Sequence, residues 1–218
     1  MTPGDPAMAK MHHDAAFGAE LIYDRLLDYD KNLEIIPGLA YKWEVVDPLT
    51  WRFYIREGVK FHDGTALDAN AVKMSLDRMP YTVAAPLVAG FKSVEVEGTY
   101  KVLIHTKKPL PNVEACVANF VAVIYSPKVL SELKKPGDVV VNGVGTGPYK
   151  MVELTKDQLT LEANKDYWKF KPKVDKIIIR TIPEETTALA AFEAHEVDAI
   201  YNPSPHEVKR LMQNPNYK

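Results

Sequence analysis

Thr50-Trp-Arg-Phe-Tyr-Ile-Arg56, followed closely by Gly58-Val-Lys-Phe-His-Asp-Gly64, is the stretch on which the fold turns. Trp51, Phe53 and Ile55 alternate with polar or amphipathic neighbours, the period-2 pattern of a half-buried strand. Phe61 to Gly64 then reads as a turn, because Asp-Gly supplies both a local hydrogen-bonding side chain and a permissive backbone. Asp68 is placed to cap a helix. Val72, Leu76 and Met79, at i, i+4 and i+7, give that helix one apolar stripe, and Pro80 stops it.

Working outward, Lys92–Val96 and Lys101–Thr106 read as a strand pair around Gly98. Asn142–Gly147 is a glycine-rich loop. Tyr149–Glu153 and Gln158–Glu162 form a second hairpin pattern. The run Ile177–Ile179 suits a strand covered on both faces. A helix is expected over Glu184–Ala194 and a short strand over Val197–Tyr201. Ser204 and Glu207 form a capping-box pattern with Pro205 at the first helical position. Val208, Leu211 and Met212 then make one apolar face. Toward the N-terminus, Phe17 with Leu21 and Ile22 with Leu26 are apolar pairs four apart, so a helix is expected from about His13 to Tyr29, before Pro37-Gly38 breaks the pattern. The signals are weakest from Val83 to Val140. The sum is an α/β chain, of the mixed α+β kind.

The 218 residues suffice for one or two domains with a core, and 46% hydrophobic with 26% charged residues is ordinary globular composition. A net charge of -2 gives no basic surplus to hold a phosphate backbone, which argues against nucleic acid as a partner. No apolar run is long enough to span a bilayer. Met1 to Ala16 is polar and carries no apolar core of the signal-peptide kind. Cys116 is the sole cysteine, and its apolar neighbours Ala115 and Val117 favour an inert buried thiol.

Several motifs occur together in a fixed order. They are Tyr23-Asp-Arg-Leu-Leu27, Pro37-Gly-Leu-Ala40 with Trp43-Glu44, and the 51–64 stretch with the helix to Arg78. Val144-Gly-Thr-Gly-Pro-Tyr149 with Asn164-Lys-Asp-Tyr-Trp168 follows, and then Glu196-Val-Asp198 after an alanine-rich helix. This ordered set resembles the ABC-transporter solute-binding proteins of the oligopeptide/dipeptide/nickel-binding family, and the resemblance covers nearly the whole chain. It implies a periplasmic-binding-protein-like first lobe carrying an inserted smaller domain. On that map residues 1–40 and 142–218 form an incomplete first-lobe core domain, and 41–141 the inserted domain. The second lobe of such proteins begins shortly after the helix that matches Ser204–Gln213, so it is expected to be absent here. His195 stands where relatives carry glycine at a helix end, which implies a left-handed backbone at a modest cost.

The resemblance also implies a function. A short peptide or a metal chelate, nickel chelates included, is captured outside the cytoplasmic membrane and delivered to an ABC permease. The location is periplasmic or extracytoplasmic, with membrane association through the permease. No catalytic residue, resident metal or cofactor is implied. Met11, His12 and His13 match by position the segment before the first helix that lines the cleft in relatives. Thr146 and Gly147 lie in the loop that returns near that cleft. These five are the candidate ligand-binding residues. A rival reading is a stand-alone structural or interaction module, whose exposed cleft face would favour a dimer.

Other chemistries find little support in the residues. Gly143-Val-Gly-Thr-Gly147 would cradle phosphate only if a helix followed, and Pro148 with a strand-like Tyr149–Glu153 follows instead. His12-His13-Asp14 lacks a specific zinc spacing and reads either as a solvated helix entry or as part of the ligand cleft. His62-Asp63 resembles an acid/base pair but falls in a turn. His105 and His206 have no nucleophile near them, no serine sits in a nucleophile elbow, and Cys116 lacks a partner arrangement, so the chain is not expected to be an enzyme. Trp43, Trp51 and Trp168 fall in motifs where packing is the expected role.

Overall fold

The structure, a computed structural model, describes residues 13–215 and 217, with side chains from Gly18 onward. It divides into two compact units, the chain up to Ile179 and the chain from Arg180 on. In the first unit the elements are α1 (His13–Ile22), β1 (Leu27–Tyr29), β2 (Ile35–Pro37), β3 (Ala40–Asp47), β4 (Thr50–Ile55) and α2 (Ala69–Arg78). They continue with α3 (Ala85–Val88), β5 (Phe91–Val96), β6 (Lys101–Thr106), α4 (Val113–Ala118), α5 (Pro127–Ser131), β7 (Tyr149–Leu154), β8 (Gln158–Ala163) and β9 (Lys176–Arg180). The second unit contains α6 (Glu185–Glu193) and α7 (Pro205–Leu211).

The strand expected at Trp51–Ile55 lies inside a four-stranded antiparallel sheet of order β3-β4-β6-β5. Trp51, Phe53 and Ile55 are buried on one face, opposite Ile104 and Val102 of β6. Helix α2 lies against β5 and β6 and presents Val72, Leu76 and then Met79 to this core. Its cap is the expected one: the Asp68 carboxylate accepts the Ala71 amide at 2.8 Å. Pro80 sits in a single 3-10 turn, Met79–Tyr81, directly after the helix. The opposite face of the sheet is polar. Arg52 donates twice to Glu97, at 2.8 and 2.9 Å, and once to Glu44 at 3.0 Å. The Lys42 ammonium lies 4.9 Å from the Tyr54 ring centre.

A second core gathers Ala19, Ile22 and Tyr23 with Val123, Tyr125 and Val129, and with Tyr149, Leu159 and Leu161 of the sheet β7-β8-β9. The seam between the cores is a short extended pairing. Arg25 bridges Val123, and the Ile124 amide donates to the Asp24 carbonyl at 3.0 Å. Period-2 alternation divides the labour there: Ile124 faces the first core, and Val123 and Tyr125 face the second.

Several expectations need correction. The first helix ends at Ile22, not near Tyr29. Leu26 and Leu27 are fully buried, as the apolar spacing demanded. Main-chain pairing, however, claims the Arg25 and Leu26 carbonyls, which accept the amides of Leu39 and of Gly38 and Ala40. Strand β9 is covered on one face only, because Ile178 is 50% exposed. Val197–Tyr201 is not a strand, since no strand among the described residues pairs with it. Helix α7 forms with Pro205 in its first turn, but the Ser204 side chain makes no cap; the Ser204 amide donates instead to Glu185 at 2.6 Å. Of the face read on α7, Leu211 is buried and Met212 is exposed. His195 does take the left-handed backbone, at φ 58°. Among the described residues no helix is long and apolar enough to cross a membrane.

Candidate functional site at the glycine-rich loop

The loop Gly143–Gly147 threads directly over the end of α1. A Cβ at Gly145 would stand 2.2 Å from the Ile22 carbonyl oxygen, and one at Gly147 would stand 2.6 Å from the Ile22 carbonyl carbon. No side chain fits at either place, so both glycines are required by close backbone approach. The Gly147 amide donates to the Ile22 carbonyl at 2.9 Å, satisfying one of the carbonyls that a helix leaves open at its C-terminus.

Asp24, two residues beyond α1, is the hub. Its carboxylate accepts the Thr146 hydroxyl at 2.7 Å, the Tyr167 hydroxyl at 2.8 Å and the Trp168 indole N–H at 2.9 Å. Burial, and then the Asp24 charge, push the Tyr167 phenol well above its ordinary value, so it remains a donor throughout the physiological range. Asn164 donates to the Gly147 carbonyl at 3.1 Å. The Arg56 guanidinium lies 4.8 Å from the Trp168 ring, in cation–π contact.

The turn after β4 is stitched to the same loop. The His62 amide donates to the Gly145 carbonyl and its ring Nε2 meets the Gly147 carbonyl, both at 2.9 Å. Ser126 closes the circuit, with its hydroxyl on Asp63 at 2.6 Å and its amide on the Val144 carbonyl at 3.2 Å. Burial would raise the Asp63 carboxyl, but bonds from Ser126 and from Thr65 outweigh it and hold the group below its ordinary value.

Of the five residues expected to touch ligand, Met11 and His12 lie outside the described residues. His13 opens α1, and its side chain is outside the described set. Thr146 and Gly147 are adjacent and both buried, with Thr146 only 1% exposed and its hydroxyl committed to Asp24. Asp24, Asn164 and the anchoring role of His62 were not singled out from the sequence. Asp24 and Asn164 lie in the motifs Tyr23-Asp-Arg and Asn164–Trp168, which also hold the donors Tyr167 and Trp168. Among the described residues no group of three His, Cys, Asp or Glu side chains is placed to hold a metal ion. Trp51 packs in the core, and the Trp43 indole donates to Glu114. Cys116 is buried, which pushes its thiol up and keeps it unreactive.

The stretches that meet at this loop are the ones that carry the family pattern, and comparison with known proteins agrees. The family described as Bacterial extracellular solute-binding proteins, family 5 Middle, matches residues 34–218. The chain belongs to this family.

Among curated family relatives, the dipeptide-binding protein of Escherichia coli is 27% identical over 221 residues, covering 88% of this chain and 41% of the relative. The glutathione-binding protein GsiB of Pectobacterium atrosepticum is 31% identical, covering 89% of this chain and 39% of the relative. Among solved structures, NikA from Brucella suis in complex with Fe(III)-EDTA superposes with a TM-score of 0.84 at 31% identity, covering 97% of this chain and 44% of that one. The periplasmic binding protein DppA from Helicobacter pylori, in complex with the peptide STSA, gives a TM-score of 0.84 at 27% identity, covering 97% and 46%. The chain thus spans less than half the length of these relatives, and the fold they share is that of the periplasmic binding proteins.

Proposed function

We propose that this chain is the first-lobe portion of an extracytoplasmic solute receptor, which takes up a short peptide or a metal chelate and presents it to an ABC permease. The observation that supports the reading most directly is the convergence of Asp24, His62, Thr146, Asn164, Tyr167 and Trp168 on one glycine-rich loop. Asp24, His62 and Asn164 bond the loop directly while Tyr167 and Trp168 brace Asp24, an arrangement suited to binding and not to chemistry. The residues act accordingly. Thr146 and Gly147 fix the loop against α1, and the segment Met11–His13 supplies contacts to the ligand.

The proposed division is a core domain, residues 1–40 with 142–218, and an inserted domain, residues 41–141. The separation of two apolar cores supports it in outline, with Val123, Tyr125, Val129 and Val140 of the inserted stretch packing in the second core. The first core draws mainly on Leu39 to Ile124, and the second on Ala19 to Tyr23 with Val123 to Leu161. Enclosure between two lobes supplies most of the buried ligand surface in such a receptor, so this stretch alone holds its ligand weakly.

Titration of the chain with di- and tripeptides and with nickel–histidine chelate, followed by amide chemical shifts, tests this. The expected result is shifts at Gly143–Gly147 and in the first helix at ligand concentrations on the order of millimolar. Absence of shifts with every peptide and chelate removes the receptor reading. Micromolar affinity removes the claim that a second lobe is needed. Self-association through an exposed cleft face is the competing reading, and a monodisperse monomer in light scattering eliminates it.

A further inference from the structure

His62 is held in one protonation state by its surroundings. The Gly147 carbonyl can only accept, so the ring nitrogen facing it, Nε2 at 2.9 Å, carries the proton. The other nitrogen, Nδ1, is then a bare acceptor. It is buried and has no hydrogen-bond partner among the described residues. Adding a proton there creates a buried N–H with nothing to receive it, in a region already removed from water.

The position has leverage. His62 contributes two of the bonds that hold the glycine-rich loop, one from its amide to Gly145 and one from its ring to Gly147. The second shares its acceptor with Asn164, on the far side of the loop. Through Gly147 the loop in turn donates to the last carbonyl of α1. The turn Phe61–Gly64 follows the sheet of the first core, whereas the loop runs over α1 in the second core, so the His62 ring bridges the two.

We propose that His62 is an acid-released latch: neutral, it ties the sheet-side turn to the glycine-rich loop, and its protonation in mildly acid solution loosens that tie. The charged groups that act on the ring come from three places. Burial disfavours the imidazolium most strongly, and the Lys150 ammonium on β7 opposes it as well. The bond to the Gly147 carbonyl, then Asp24 after α1 and Asp63, the next residue in the turn, pull the other way without overcoming burial. The folded ring therefore titrates below 6.5, the value it regains on unfolding. Between those two values the unfolded chain binds more protons than the folded one, so stability rises with pH across the window. The contribution is complete above 6.5 and is lost as the pH falls from there toward the folded value. The device does not depend on which ligand the receptor carries.

Urea unfolding of the chain and of His62→Asn, measured from about pH 7.5 to pH 5, tests the latch. The expected result is a gap in midpoint between the two that is widest at the upper pH and shrinks steadily on acidification. A gap that stays constant makes His62 a pH-indifferent packing residue and overturns the proposal. Should the variant not fold, nitrogen-15 spectra of the histidine rings in the unaltered chain decide the matter. His62, recognised by its contacts with Gly147, is expected to stay neutral with the proton on Nε2 at a pH where free histidine is mostly charged. A ring that titrates at the ordinary value, or carries its neutral proton on Nδ1, overturns it.

Discussion

Asp24 gathers donors from Thr146, Tyr167 and Trp168, residues 122 to 144 positions further along the chain. Asp24→Ala would strand three donors in a part-buried site, and hydrogen bonds to a charged acceptor are the costly ones to lose. An expected cost of about 3 kcal/mol in urea-unfolding stability follows. Asp24→Asn keeps one oxygen but turns an amide N–H₂ toward a donor, so it should cost roughly half as much. Gly145→Ala tests a different force. Its backbone lies outside the left-handed region, so the penalty is steric: a 2.2 Å approach to the Ile22 oxygen and a 2.7 Å approach to the Tyr23 ring. A loss of about 3 kcal/mol or more is expected, with loss of amide protection at Ile22 and Tyr23. At this scale the sequence was half legible. Thr146 and Gly147 were reached through the resemblance of their loop to the family motif, and the structure seats that loop over the end of α1. Asp24 stood inside a motif, but with partners more than a hundred residues away nothing local marked it as the hub.

Elements were legible wherever a periodic pattern had a packed surface to explain it. Strand β4 and helix α2 form where expected, because Trp51, Phe53 and Ile55 and the stripe from Val72 to Met79 each bury one whole face. Phe53→Ala would empty the centre of that sheet, and a cost of about 3–5 kcal/mol is expected in denaturant unfolding. Asp68→Ala removes a single cap bond and should cost only about 1 kcal/mol in the same measurement. The misreadings share a physical origin. Helix α1 stops early because the backbone beyond Ile22 pairs with Leu39 and Ile124, partners invisible to local spacing. Helices α3, α4 and α5, of four, six and five residues, are too short to show a helical period at all. The exposed edge strand β3 carries Tyr41, Val45 and Val46, yet two register shifts against β4 and the charges of Lys42 and Asp47 interrupt it as a template for pairing.

At the scale of the whole molecule, stability is distributed unevenly between the two compact units. The first holds two apolar cores knit by three sheets. Among its described residues the second buries only the hydrophobic side chains of Leu189, Ala191 and Leu211. Its two helices have nine and seven residues, lengths at which isolated helices are marginal in water. Exposed polar contacts link them: Arg210 meets Glu193 at 2.6 Å, and Glu185 accepts the Ser204 amide at 2.6 Å. Exposed pairs of this sort are each worth little and are weakened by salt. Helices α6 and α7 should therefore open well before the sheet β3-β4-β6-β5. Hydrogen exchange followed by mass spectrometry should show their amides protected roughly a hundredfold less than those of β4 and β6, and less again as salt is raised. Protection of α6 equal to that of β4 would mean that it exchanges only through global unfolding, and that its few buried side chains carry far more energy than their area allows.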